Sequence, residues 1–170
     1  MKQPTAAAIE ITIQIADEQT CLPLDRRLLR RAVRRVLRDA GVRKARISVA
    51  VVDDETIARL NWRYLRHRGP ADVLSFPLGQ RDGLEGEVIV GAQAALRAAP
   101  RYGWPPHDEL LLYVIHGTLH LVGHDDGSPA PRAEMQKRET AVLEKLGITR
   151  RQENPKYEAR NPKQIQSTKY

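Results

Sequence analysis

From about residue 107 to 122 the chain is apolar on nearly every side of a helix, and two histidines are set into that stretch. Leu110, Leu111, Leu112, Val114, Ile115, Leu119, Leu121 and Val122 leave no polar face, so the segment has to lie in the core of the fold. Pro105-Pro106 marks its start, Asp108 and Glu109 favour the positive end of a helix, and Gly123 supplies a stop. His116 and His120 are spaced i, i+4, which puts both imidazoles on one face about one turn apart. Burying both without partners for their nitrogens would be costly, and the separation lets both reach one ion. The segment therefore reads as a metal-binding helix of the zincin kind.

The run from His116 to Asp126 holds three of the five histidines of the chain and two carboxylates. In the HExxHxxGxxH pattern a glycine turns the chain and the third ligand arrives three residues later. The same count from Gly123 lands on Asp126. His124 is the alternative, because imidazole is the commoner zinc ligand, although it follows the glycine by a single residue. The expected site is one zinc ion on His116, His120 and Asp126 with a position left open. Gly117 stands where zinc peptidases place a glutamate base. Without that carboxylate, peptide hydrolysis loses a proton acceptor worth roughly 10² to 10⁴ in rate. An open metal site can still activate water or polarise a phosphoryl oxygen, so hydrolysis of another kind of bond is expected.

The rest of the chain reads as one α/β (α+β) domain. At 170 residues it is long enough for a substantial core, and its one cysteine, Cys21, allows no intrachain disulfide. A reducing, cytoplasmic setting is expected, with no signal-peptide core and no apolar run long enough to span a membrane. Strands are expected at residues 8 to 16 (alternating Ile9, Ile11, Ile13 and Ile15) and 45 to 52. Two shorter strands are expected, one ending at Pro77 and one at Glu87 to Val90 after a Gly79 to Gly86 turn. Helices are expected at 24 to 40, from Asp53-Asp54 to about Tyr64, at 92 to 101, at 107 to 122 and at 130 to 146. The result is a small mixed sheet of about four strands flanked by about five helices. Residues 1 to 148 form the domain, and residues 149 to 170, with six basic against two acidic side chains and no apolar period, are expected to be a mobile basic tail.

Three ordered blocks, HGTLHLVGHDD (His116 to Asp126), LNWRYLRHRGPADVLSFPL (Leu60 to Leu78) and GEVIVGAQAA (Gly86 to Ala95), resemble the YbeY family of bacterial rRNA maturation factors. The resemblance covers about residues 45 to 147. It implies a compact α/β domain acting as a metal-dependent endoribonuclease on single-stranded RNA. It also implies roles in rRNA processing, including late maturation of the small-subunit rRNA, and in ribosome biogenesis, with one zinc ion on three ligands. The family pattern HGxLHLxGYDH places those ligands at His116, His120 and residue 126, which is Asp126 here where most members have histidine. His124 takes the place of the usual tyrosine. Leu65 stands where the family often has an arginine proposed to act with the metal, with Arg63 and Arg66 nearby. The family's Pro-Thr-Asp is Pro70-Ala71-Asp72, which leaves Asp72 as a cleft residue or as a turn residue bonding backbone amides. No general base is assigned.

A formal charge of +7 is compatible with an RNA partner and also with mere solubility. Arg26, Arg27, Arg30, Arg31, Arg34, Arg35 and Arg38 share one half of a helix and form a stripe about 18 Å long. The stripe is either a phosphate-tracking surface or a solvated outer face. Aromatic residues make up 5% of the chain, so base stacking is not expected to dominate, and Trp62, Tyr64 and Trp104 are read as core packing. Two other functions fit the same residues: a metallopeptidase, and a non-catalytic rRNA-binding assembly factor with a structural zinc.

Overall fold

The alternating isoleucines near the N-terminus form an edge strand, β1 (Glu10–Glu18), with Ile13 and Ile15 buried. The structure is a computed structural model that describes residues 8–149 and 165–167. Asp25 then caps α1 (Arg26–Asp39), its carboxylate accepting from the amides of Arg27 and Leu28 at 2.9 Å each. After β2 (Lys44–Val52), Asp53 caps α2 (Asp54–Leu65) by accepting from the Thr56 amide. Next come β3 (Val73–Gly79), β4 (Leu84–Gly91), α3 (Ala92–Tyr102), α4 (Pro106–Leu121) and α5 (Pro129–Lys145). A three-residue strand, β5 (Ile165–Ser167), completes the described elements.

The sheet order is β1-β2-β4-β3-β5. β1, β2 and β4 run parallel, β3 is antiparallel to β4, and β5 is parallel to β3. This is the expected mixed sheet with five helices, its four-stranded body extended by β5. That extension falls inside the segment expected to be a mobile tail. Ile165-Gln166-Ser167 carries no period long enough to register in a sequence reading, and it pairs with Val73 to Ser75 on the open edge of β3. The remainder of the tail lies outside the described residues. Two further expectations are corrected. β3 does not stop at Pro77 but continues to Gly79 through a register shift, because Pro77 lies beyond the β5 pairing at Val73 to Ser75, where β3 is an edge that tolerates a missing N–H. β4 begins at Leu84, which shortens the connecting turn.

The two faces of the sheet are covered unequally. On one face, apolar residues of α1, α3, α4 and α5 pack on Ile13, Ile15, Ile47, Val49, Val51, Val73, Val88 and Val90 in the larger core. On the other face α2 is the only helix laid down among the described residues, and Ile57 joins Ala50, Val52, Leu74, Phe76 and Ile89 in a smaller core. α4 is the central helix, with every residue from Glu109 to Leu119 buried. It approaches the sheet most closely at Gly117. A Cβ there would lie 2.6 Å from Val88 Cγ1, 2.8 Å from Ser75 Oγ and 2.9 Å from Val73 Cγ2. The Gly117 carbonyl accepts from Ser75 Oγ at 3.1 Å, fixing the histidine-bearing helix to β3.

Candidate metal centre

α4 ends in a glycine-dependent turn that aims the following loop back at the histidines. Gly123 has φ of 95°, its amide donates to the His120 carbonyl at 3.0 Å, and the His124 amide donates to the Leu119 carbonyl at 3.0 Å. This paired pattern is the Schellman closure that a left-handed glycine permits. Beyond it, the Asp125 carboxylate accepts from the amides of Asp126 and Gly127 at 2.9 and 3.2 Å. Arg132, in the first turns of α5, donates from Nε and its terminal nitrogen to the Asp126 carbonyl at 3.3 and 3.2 Å. Asp126 is thus held from both sides.

His116, His120 and Asp126 come together, with one donor atom from each lying within 4.8 Å of the others. The two Nε2 atoms are 2.9 Å apart. The Asp126 oxygens lie 3.8 Å from His116 Nε2 and 3.6 Å from His120 Nε2. Ligands about 2.0 to 2.1 Å from a tetrahedral ion stand about 3.3 Å from one another, and the three separations bracket that value.

The hydrogen bonds on the far side of each ring sharpen this fit. His116 Nδ1 lies 2.6 Å from Glu139 Oε1, and His120 Nδ1 lies 3.0 Å from the His124 carbonyl oxygen. A carbonyl accepts only, as does an ionised carboxylate, so these partners place a hydrogen on Nδ1 of each ring. A neutral imidazole has one N–H, so with both rings neutral the two Nε2 atoms face each other as lone pairs. Two facing lone pairs beside a carboxylate repel unless a cation lies among them. Burial, then the charge that His116 carries when protonated, lowers the His120 pKa to about 4, so the His120 ring stays neutral and able to ligate. Burial raises the pKa of Asp126, a cost that a bound cation would reverse. The donor set fits a divalent ion.

The model of the family described as endoribonuclease YbeY matches residues 11–147. The chain belongs to the endoribonuclease YbeY family. A relative in Rhodopirellula baltica, named endoribonuclease YbeY, is 40% identical over 131 residues, covering 75% of this chain and 68% of its own. A second, in Syntrophus aciditrophicus, bears the same name and is 35% identical over 143 residues, covering 79% and 89%. Among solved structures, the solution structure of Thermotoga maritima TM1509 matches with a TM-score of 0.56 at 23% identity, covering 84% of this chain and all of that one. That likeness concerns the fold.

Other residues singled out in the sequence fall elsewhere. His124 approaches the group with its carbonyl, and its ring is outside the cluster. Asp72 lies in the turn before β3, where its carbonyl accepts from the Gly91 amide. In the α1 stripe, Arg26 and Arg30 donate to carbonyls of β1, and Arg35 pairs with Asp39. Arg27, Arg31, Arg34 and Arg38 make no such bond among the described residues. Trp104 is core packing as expected, its Nε1 donating to the buried Glu109 at 2.6 Å. Trp62 and Tyr64 are not, being 46% and 45% exposed, because among the described residues no further layer covers α2 on its face of the sheet.

Glu139 escaped the sequence reading altogether. It is 3% exposed on α5, 23 residues from its histidine, in a helix whose other acidic side chains are ordinary surface residues. A carboxylate behind a ligating histidine is the usual outer partner of a metal site, and no local spacing announces it.

Proposed function

We propose that this protein is a single-strand-specific endoribonuclease of rRNA processing and ribosome biogenesis, with one zinc ion held by His116, His120 and Asp126. The observation that carries the reading is the pair of Nε2 atoms converging beside the Asp126 carboxylate, within a chain whose relatives bear an endoribonuclease name. Two nitrogens and one carboxylate suit zinc, and three protein donors leave a coordination position for substrate, whereas structural zinc sites close with four. When bound, the ion would supply Lewis acidity to a phosphoryl oxygen and acidify a water molecule.

The chain's own residues do the positioning. Glu139 and the His124 carbonyl hold hydrogens on the two Nδ1 atoms and so keep both Nε2 atoms unprotonated. Arg132 and Asp125 fix the loop that presents the Asp126 carboxylate. Peptidase chemistry is disfavoured, because the position of its glutamate base is Gly117, pressed against β3 and β4 with no room for a side chain. Residues 1 to 148 act as the catalytic domain, the basic segment 149 to 170 adds non-specific affinity for rRNA of the small subunit, and the protein works in the cytoplasm. Among the described residues no helix is long and apolar enough to cross a membrane.

The test is the metal content of purified protein together with cleavage of single-stranded RNA by wild type, His116→Ala and Asp126→Asn. Stoichiometric zinc and a chelator-sensitive rate lost in both variants are expected. A rate that survives in His116→Ala would overturn the reading. Stoichiometric zinc with no chelator-sensitive rate would leave the assembly-factor function in its place.

A further inference from the structure

The end of α2 displays an aromatic and cationic surface that the metal centre does not use. Trp62 and Tyr64 are exposed, and Leu78, on the same side of the sheet as Phe76, is 66% exposed. Arg59, Arg63, Arg66 and Arg68 lie in the same stretch of sequence, and no acidic residue occurs between Glu55 and Asp72. None of these four arginines forms an ion pair within 4.0 Å among the described residues. Arg59 donates to Thr56 Oγ1 at 3.2 Å, and the guanidinium groups of the other three lie against the rings. Arg63 is 5.6 Å from the Tyr64 ring centroid, and Arg66 and Arg68 are each 5.8 Å from that of Trp62.

The arrangement is built into the backbone. Arg66 closes α2 in the left-handed region at φ of 57°, the one non-glycine residue with positive φ among those described, and its amide donates to the Trp62 carbonyl. The chain therefore reverses over Trp62. Asn61, 7% exposed, donates from Nδ2 to the Gly69 carbonyl at 2.9 Å and pins the returning loop that carries Arg68. Tyr64 is steadied by Phe76, with ring centroids 5.1 Å apart. Phe76 follows Ser75 on β3, and Ser75 bonds Gly117, the neighbour of His116. The surface and the metal centre thus flank the same strand from opposite faces of the sheet.

We propose that Trp62 and Tyr64, with Arg63, Arg66 and Arg68, form a stacking platform for the bases and phosphates of single-stranded RNA. The inference rests on the endoribonuclease reading for the identity of its ligand. Flat rings interleaved with guanidinium planes match a polyanion whose monomers each carry a planar base. An acidic peptide would satisfy the charges but give the exposed ring faces no role.

The test uses the full-length protein with chelator present, so that binding is read without cleavage, and a fluorescently labelled single-stranded RNA in an anisotropy titration. Trp62→Ala is expected to weaken binding by roughly five- to tenfold or more, and Trp62→Phe to restore most of it. Arg66→Gln with Arg68→Gln is expected to flatten the dependence of affinity on salt. An abasic oligonucleotide of equal length should bind wild type and Trp62→Ala alike, since charge is retained and stacking is gone. Equal affinity of wild type and Trp62→Ala for the normal RNA, or an equal loss on the abasic one, would overturn the proposal. Because these titrations need no catalysis, their failure leaves a chelator-sensitive nuclease standing, and failure of the nuclease assay leaves Trp62-dependent binding readable.

Discussion

Removing Glu139 isolates the contribution of the carboxylate behind His116. Its Oε1 lies 2.6 Å from Nδ1 inside a site where both side chains are nearly inaccessible, which is the geometry of a charge-assisted bond. Loss of such an outer partner typically weakens metal binding by about 10- to 100-fold, or about 1.4 to 2.7 kcal/mol. Glu139→Gln keeps an oxygen that can accept from Nδ1 and removes only the charge, so the lower end of that range is expected. Glu139→Ala also frees the ring to place its hydrogen on Nε2, the donor atom, and belongs at the upper end. The assay is competition for zinc against a chromogenic chelator of known affinity near neutral pH. Thermal unfolding of the zinc-free proteins, run alongside, separates loss of affinity from loss of fold. Glu144→Gln removes the same charge from an exposed position of α5 and should bind zinc as wild type does. If Glu139→Ala retains zinc within twofold of wild type, the argument from facing lone pairs is wrong.

Other outcomes follow from the same geometry. His124→Ala keeps the carbonyl that orients His120 and should retain zinc, whereas Asp126→Ala should lose it, as measured by metal content after dialysis. Gly117→Ala should destabilise the protein by up to about 2 kcal/mol in denaturant unfolding, because overpacking costs about 1 to 3 kcal/mol against roughly 1 kcal/mol of helix propensity gained, and three atoms within 3 Å of the new Cβ favour the upper end. In zinc-free protein, His120 should make stability fall with acid. Its pKa is about 4 folded against 6.5 unfolded, so the unfolded chain binds the extra proton between those values. The contribution is complete above pH 6.5 and is lost as pH falls toward 4, amounting to about 3 kcal/mol. A His120→Gln variant with the same acid slope as wild type would contradict this.

The regular elements were legible because their signals are short. The isoleucine alternation marks β1, Asp53 caps α2, and the apolar run of α4 can only be a core helix. The i, i+4 histidines and the left-handed Gly123 are equally local, since the bonds that create the turn span five residues or fewer. That locality is why counting from the glycine reached Asp126. Trp62 also carried a partial signal. At 100° per residue it stands about 140° round the helix from Ile57, away from the buried stripe.

What the chain alone determined was therefore the central helix, the pair of histidines on its face and the turn that follows them, each a matter of backbone periodicity within a few residues. Tertiary structure decided the rest of the site. Only the packing of α5 on α4 brings Glu139 to His116, and only the path after Gly123 makes the His124 carbonyl the acceptor for His120 Nδ1 while the His124 ring lies outside the cluster. Gly117 is a glycine because β3 and β4 lie against it, and Trp62 is exposed because, among the described residues, no other helix shares the α2 face of the sheet. Each of these depends on contacts between segments far apart in sequence, which no local period encodes.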